Sequence, residues 1–162
     1  MNKHLKKQKG AVMLEAAYVL PVILGVLLFV VEATAYSMNS FAANDILTET
    51  YSQVLDDVSA VSNAENAIVT TFAGCTSNKV VLNNSEIKRY AEDKALISFT
   101  KMGVNFTSPY SVDVKTSSIN GFDVYVINFS GTANSLVIPG FLSQLLPISV
   151  DTVISIKDSC AF

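Results

Sequence analysis

Tryptophan is absent, and histidine occurs once, as His4. Charged residues make up 15% of the 162-residue chain, and there are only two cysteines and four prolines. Each shortage excludes something. With no imidazole beyond the first ten residues, the body has no histidine to activate a nucleophile or to ligate a metal. No phosphate-binding glycine loop, dinucleotide turn or EF-hand spacing is present in the sequence. Asp56-Asp57 and Glu92-Asp93 are adjacent carboxylates, which point apart on a helix and make no acid–base pair. The expectation is a chain with no catalytic residues, no metal site and no cofactor, hence not an enzyme.

Charge is sparse but unevenly placed. Lys3, Lys6, Lys7 and Lys9 put four positive charges and no acid into the first ten residues. The rest carries seven basic and fourteen acidic side chains, a net −7. An acidic body is a poor match for nucleic acid, because phosphate binding needs clustered lysine and arginine. Half of the residues are hydrophobic and mean hydropathy is +0.40, which excludes a disordered chain.

The apolar residues concentrate first in one run. Ala11 to Val31 is 21 residues with a single charge, Glu15, and Glu32 ends it. As a helix it would be roughly 31 Å long, the thickness of a bilayer's hydrocarbon core. The lysines precede the run and no comparable basic cluster follows it. The N-terminus is therefore expected to stay cytoplasmic and the body to be exported, a single pass of the membrane.

Three processing outcomes fit this segment. One is an uncleaved signal anchor. Another is an ordinary secretory signal peptide, cut after Ala33-Thr34-Ala35, a small-x-small site. The third is a prepilin-type site, in which a short basic leader ends in Gly10 and cleavage leaves Ala11 as the new N-terminus. Only the third gives Glu15 a purpose. A carboxylate at the edge of the hydrocarbon is costly unless it snorkels, takes a proton or meets a cation. Cleavage after Gly10 creates such a cation, the α-ammonium of Ala11, which can meet Glu15 of a neighbouring subunit. Pro21 lies inside the run and removes one helical donor, so a kink is expected there.

Gly10 before Ala11, Glu15 five residues into the cleaved chain, Leu20-Pro21 within a Leu/Val/Ile run, and Glu32 at its end together resemble the N-terminus of TadE/TadF-type proteins. These are the pseudopilins, or minor pilins, of bacterial tight-adherence (type IVc) pili. The close likeness covers the first quarter of the chain, and Ile138 to Asp158 resembles the family's closing Pro/Leu-rich loop and terminal strand more loosely. The resemblance implies cleavage by a prepilin peptidase, with Glu15 serving recognition and assembly. It implies a sister pseudopilin, the major pilin and the pilus platform as partners, beside membrane lipid. It implies a place in the bacterial inner membrane with a periplasmic C-terminal domain, and a role in priming or capping the pilus.

The body is expected to be α+β, a long helix packed on a small antiparallel sheet with a second, shorter helix. Residues 1–10 form the leader, 11–31 the span, 32–74 a stem helix and 75–162 the small domain. Leu47, Tyr51, Val54/Leu55, Val58 and Val61 recur at helical spacing, and the stem is expected to run toward Phe72 and stop at Gly74. A second helix is predicted from Asn84 or Ser85 to Met102, with Gly103 as terminator and Ala91, Ala95, Phe99 and Met102 on one face. Asn120-Gly121 is a hairpin turn between Val112/Val114 on one side and Phe122, Val124 and Val126, which share a face, on the other. Ile148, Val150, Thr152, Ile154 and Ile156 alternate with polar residues as a last strand. Cys75 and Cys160, in an exported chain, read as a disulfide tying the C-terminus to the end of the stem. The apolar stretch Leu136–Pro147 reads either as a loop packed on the sheet or as a partner-binding or membrane-proximal patch.

Overall fold

The computed structural model describes residues 3–64, 69–135, 137, 147–157 and 160. The fold is α+β. Helix α1, Lys3–Ser62, is followed by strands β1, Ala73–Thr76, and β2, Lys79–Leu82. Helix α2, Asn84–Lys101, then leads to strands β3, Phe106–Ile119, β4, Phe122–Ala133, and β5, Ile148–Ile156. The first two strands pair as a small antiparallel hairpin, and the last three form an antiparallel sheet in the order β3-β4-β5.

The second half of α1 is the spine of the core. Ala43, Leu47, Val54, Val58 and Val61 are buried, as their i, i+4, i+7 spacing requires. Thr50 falls on the same face and stays dry because its hydroxyl donates to the Ile46 carbonyl, 2.8 Å away. The helix stops earlier than its periodicity suggests. Asn63 turns back on it, its backbone N–H and its side-chain Nδ2 both donating to the Ser59 carbonyl. Asp57 then accepts the Phe72 N–H at 2.8 Å and pins the returning chain beside the helix. Phe72 is buried edge-on against Tyr90, and Gly74, expected to stop the stem, lies within β1. The β1–β2 hairpin was not foreseen from the sequence, because four-residue strands are too short to show alternation.

The second helix matches its signals. The Asn83 side chain accepts the Glu86 N–H as N-cap, and Gly103 takes φ +68° just past the Met102 C-cap. Ile87, Ala91, Ala95 and Phe99 are buried, while Met102, expected on that face, is 42% exposed. As the cap residue it has left the helical rotation.

Phe99 centres an aromatic cluster, edge-on to Phe106 at 4.9 Å and stacked on Phe129 at 5.6 Å. That cluster explains Gly131, where an added Cβ would meet the Tyr110 Cβ at 2.9 Å and the Phe106 ring at 3.0 Å. The hairpin between β3 and β4 closes with Ile119 paired to Phe122 and positive φ at Asn120 and Gly121. Both central residues of a two-residue loop with positive φ match the twist of the strands.

In β4 the sheet faces the core with Tyr125, Ile127 and Phe129. Phe122, Val124 and Val126 do share a face, but it is the outer one. Both parities of this strand are apolar, so alternation alone leaves the inward side open. The Tyr125 hydroxyl oxygen, accepting the Leu82 N–H at 3.3 Å, joins the inward face to the small hairpin. In β5, Ile148, Ile154 and Ile156 are buried and Val150 half-buried, with Ser149, Asp151 and Ser155 outward, as the alternation predicts.

Cys75 and Cys160 are bonded, with Cα atoms 6.2 Å apart and the two residues 85 positions apart in sequence. Cys75 belongs to β1, so the bridge ties the C-terminus to the small hairpin and not to the end of the stem helix. The Cys160 N–H also donates to the Asn78 carbonyl at 3.3 Å.

Candidate functional site

Two regions bear on function: the first half of α1 and its junction with the domain. Gly10 and Ala11 lie within the helix, as does Glu15. Pro21 is also inside it, and the helix continues through the proline without a break. From Met13 to Val31 every residue is exposed, including Leu14, Tyr18, Leu20, Ile23 and Phe29. This stretch is long and apolar enough to cross a membrane, and nothing else in the described chain covers it. At 1.5 Å per residue these 19 positions extend roughly 29 Å. Such a surface in water forgoes the hydrophobic stabilisation that its apolar side chains would gain by burial.

The burial pattern changes within one residue. Val31 is exposed, whereas Glu32 is only 7% exposed. A carboxylate this dry needs donors, and one of them is the Val137 N–H, 3.1 Å from Oε2. One turn further on, the Tyr36 hydroxyl donates to the Pro147 carbonyl at 3.3 Å. Glu32 and Tyr36 thus hold the two described ends of the stretch Leu136–Pro147. The intervening Ile138–Leu146 lies outside the described residues, so the choice between a packed loop and a docking patch is not decided by its own contacts. These two tethers span 105 and 111 residues of sequence, and no local signal foretells either. The sequence marked Glu32 only as the end of the apolar run.

Beside them is a cleft of about 320 Å³. It is lined by Glu32, Tyr36 and Asn39 on α1, by the Met102–Asn105 turn, and by Asn134 and Ser135 after β4. The Asn134 N–H donates to the Asn105 carbonyl, so the two turns are joined. Among the described residues no group of three or more His, Cys, Asp or Glu side chains is placed to hold a metal.

Further up the stem, Glu49 meets Lys94 of α2 at 2.5 Å and accepts from the Tyr90 hydroxyl. The hydrogen bond from Lys94 holds the Glu49 carboxyl below its usual range, and the same bond raises Lys94. A lowered carboxyl pKa stabilises the fold at neutral pH and ceases to do so as pH falls through it. Glu49→Gln is therefore expected to narrow the gap in thermal stability between neutral pH and about pH 3, by a small amount because the pair is solvated. Thermal melts of the two chains across that range measure it. Tyr110 titrates above the ordinary tyrosine range because burial disfavours the phenolate, aided by Glu92 and Asp93.

No family model, no curated protein and no solved structure matches this chain.

Proposed function

We propose that the chain is a pseudopilin, or minor pilin, of a tight-adherence type IV pilus. In this reading it is a structural subunit and not a catalyst. It is anchored in the bacterial inner membrane by residues 11–31, with its domain in the periplasm, and takes part in priming or capping the fibre. Its partners are a sister pseudopilin, the major pilin, the pilus platform and the prepilin peptidase that cuts between Gly10 and Ala11.

The observation that carries the reading is the uncovered apolar half of α1 with one acid, Glu15, near its start and a basic leader ending in Gly10 before it. A plain anchor needs the apolar length but not the acid. A subunit that packs its helix among others after cleavage uses both, because the new ammonium of Ala11 offsets the carboxylate of a neighbour. Met38 and Phe41, 60% and 73% exposed, extend the apolar surface beyond the span and favour helix contacts in the assembled state.

Cleavage after Ala35, the competing outcome, would remove Glu32 from the domain. That would take away one of the two acceptors of the Val137 N–H, leaving only the Ser135 hydroxyl at 3.3 Å. The domain's own hydrogen bonding thus favours keeping the helix attached. N-terminal sequencing of the chain purified from membranes tests the reading. Ala11 is the expected first residue; Tyr36 would mean a secreted protein, and Met1 an uncut anchor.

A further inference from the structure

We infer that the end of the domain nearest the span, formed by the Met102–Asn105 turn and the two ends of the β4–β5 connection, rests on the lipid headgroups. The inference builds on the membrane-spanning reading above and adds a second, peripheral contact with the bilayer.

Three observations lead there. The first is height. Glu32 directly follows the last exposed residue of the span and touches Val137, and Tyr36, about 6 Å further along the helix, touches Pro147. The headgroup layer on each side of a bilayer is itself roughly 5–8 Å thick. These turns therefore sit at headgroup level in a chain that crosses the membrane at 11–31.

The second is charge. From Val124 to Val150 the sequence has no Asp, Glu, Lys, Arg or His, although the body as a whole is acidic. Several of the acids and their partners lie toward the other end of the domain, with Glu49, Asp113 and Asp151 between the two ends. Asp56 and Asp57 are on the last turns of α1, Glu86 and Arg89 open α2, and Asp123 follows the hairpin turn. Among residues 101–105, 134, 135, 137 and 147, which form this end, the one charge is the exposed Lys101, a cation. An acidic domain thus turns its uncharged, weakly basic end toward an anionic surface, the orientation of lowest electrostatic cost.

The third is apolar exposure. Met102, which as the helix cap has left the buried face, is 42% exposed at this end. A methionine or aromatic side chain at headgroup depth gains partial burial without needing a hydrogen-bond partner. Lipid is preferred to a protein partner because the span places lipid at this height before any subunit arrives.

The absence of tryptophan supplies the test, since one introduced tryptophan is the sole reporter of its kind. The full chain is reconstituted in phosphatidylethanolamine/phosphatidylglycerol vesicles doped with lipid carrying a headgroup nitroxide. Three variants are compared: Met102→Trp, Ile119→Trp at the far hairpin end, and Leu24→Trp in the span, the last read with acyl-brominated lipid. The expected result is at least a two-fold loss of emission for Met102→Trp, no change for Ile119→Trp, and strong quenching for Leu24→Trp. Quenching at Leu24→Trp with Met102→Trp as bright as Ile119→Trp overturns the headgroup contact and leaves the span intact. A bright Leu24→Trp overturns the span and the contact together. An intact disulfide in non-reducing gels checks that each variant is folded.

Discussion

Under the proposed pilus role, Glu15→Ala is expected to abolish surface piliation while leaving the exported domain folded. The separation of the two effects follows from distance. Glu15 is exposed and lies 17 residues, roughly 26 Å, along the helix from Glu32, where contact with the domain begins. It supports no part of the core, so its loss leaves the domain's melting temperature and the Cys75–Cys160 bridge unchanged. In an assembly, however, each carboxylate neutralises the ammonium of a neighbouring Ala11. Removing one partner of a desolvated pair costs about 3–5 kcal/mol, at the contacts this subunit makes with its neighbours. Glu15→Gln, which keeps shape and hydrogen bonding but not charge, should fail in the same way. Counting pili by electron microscopy beside a protease-protection assay of the domain reads both effects; normal pilus numbers with Glu15→Ala would remove the assembly argument.

Cys75→Ser is expected to cost the domain about 4 kcal/mol. The bond closes a loop of 85 residues, and the chain entropy released when it opens grows with the logarithm of that length. A domain of this size has about 5–15 kcal/mol in total, so much of its margin goes. The bond also has a local task. It joins the C-terminus to a hairpin of two four-residue strands, too small to be stable alone. That hairpin contributes Ala73, Val80 and Leu82 to the common core. Loss of the bridge should therefore loosen the hairpin first. Urea titration of the wild type with and without reductant gives the free energy, and hydrogen exchange at Val80 and Leu82 gives the order of opening. A reduced protein as stable as the oxidised one would contradict the expectation.

The parts of the fold that local chemistry specifies were legible from the residues. Asn84 or Ser85 to Met102 reads as a helix ended by Gly103, and Asn120-Gly121 reads as a turn, because capping and positive φ depend on one or two side chains and their own backbone. The last strand was legible because one of its faces is apolar and the other, Val153 aside, is polar. Where both parities are apolar, as from Phe122 to Phe129, the sequence permits either face inward. The partner helix and the Tyr125 hydroxyl decide. The end of α1 was misplaced for a related reason. The residues up to Phe72 remain compatible with a helix, and what stops it is Asn63 folding back and Asp57 catching the Phe72 N–H from a distance.

The sequence by itself determined that a 21-residue apolar run stands apart from an acidic, histidine-free body, with one acid near the start of the run and two cysteines to bridge. Composition and spacing settle such features because they depend on side-chain chemistry and not on neighbours. Only the tertiary structure decided that Glu32 and Tyr36 hold the ends of the Leu136–Pro147 stretch against the foot of the stem, that the bridge ends on a hairpin, and which side of β4 faces inward. Those contacts join residues as far as 111 positions apart, and the free energy that selects them arises when distant surfaces exclude water together.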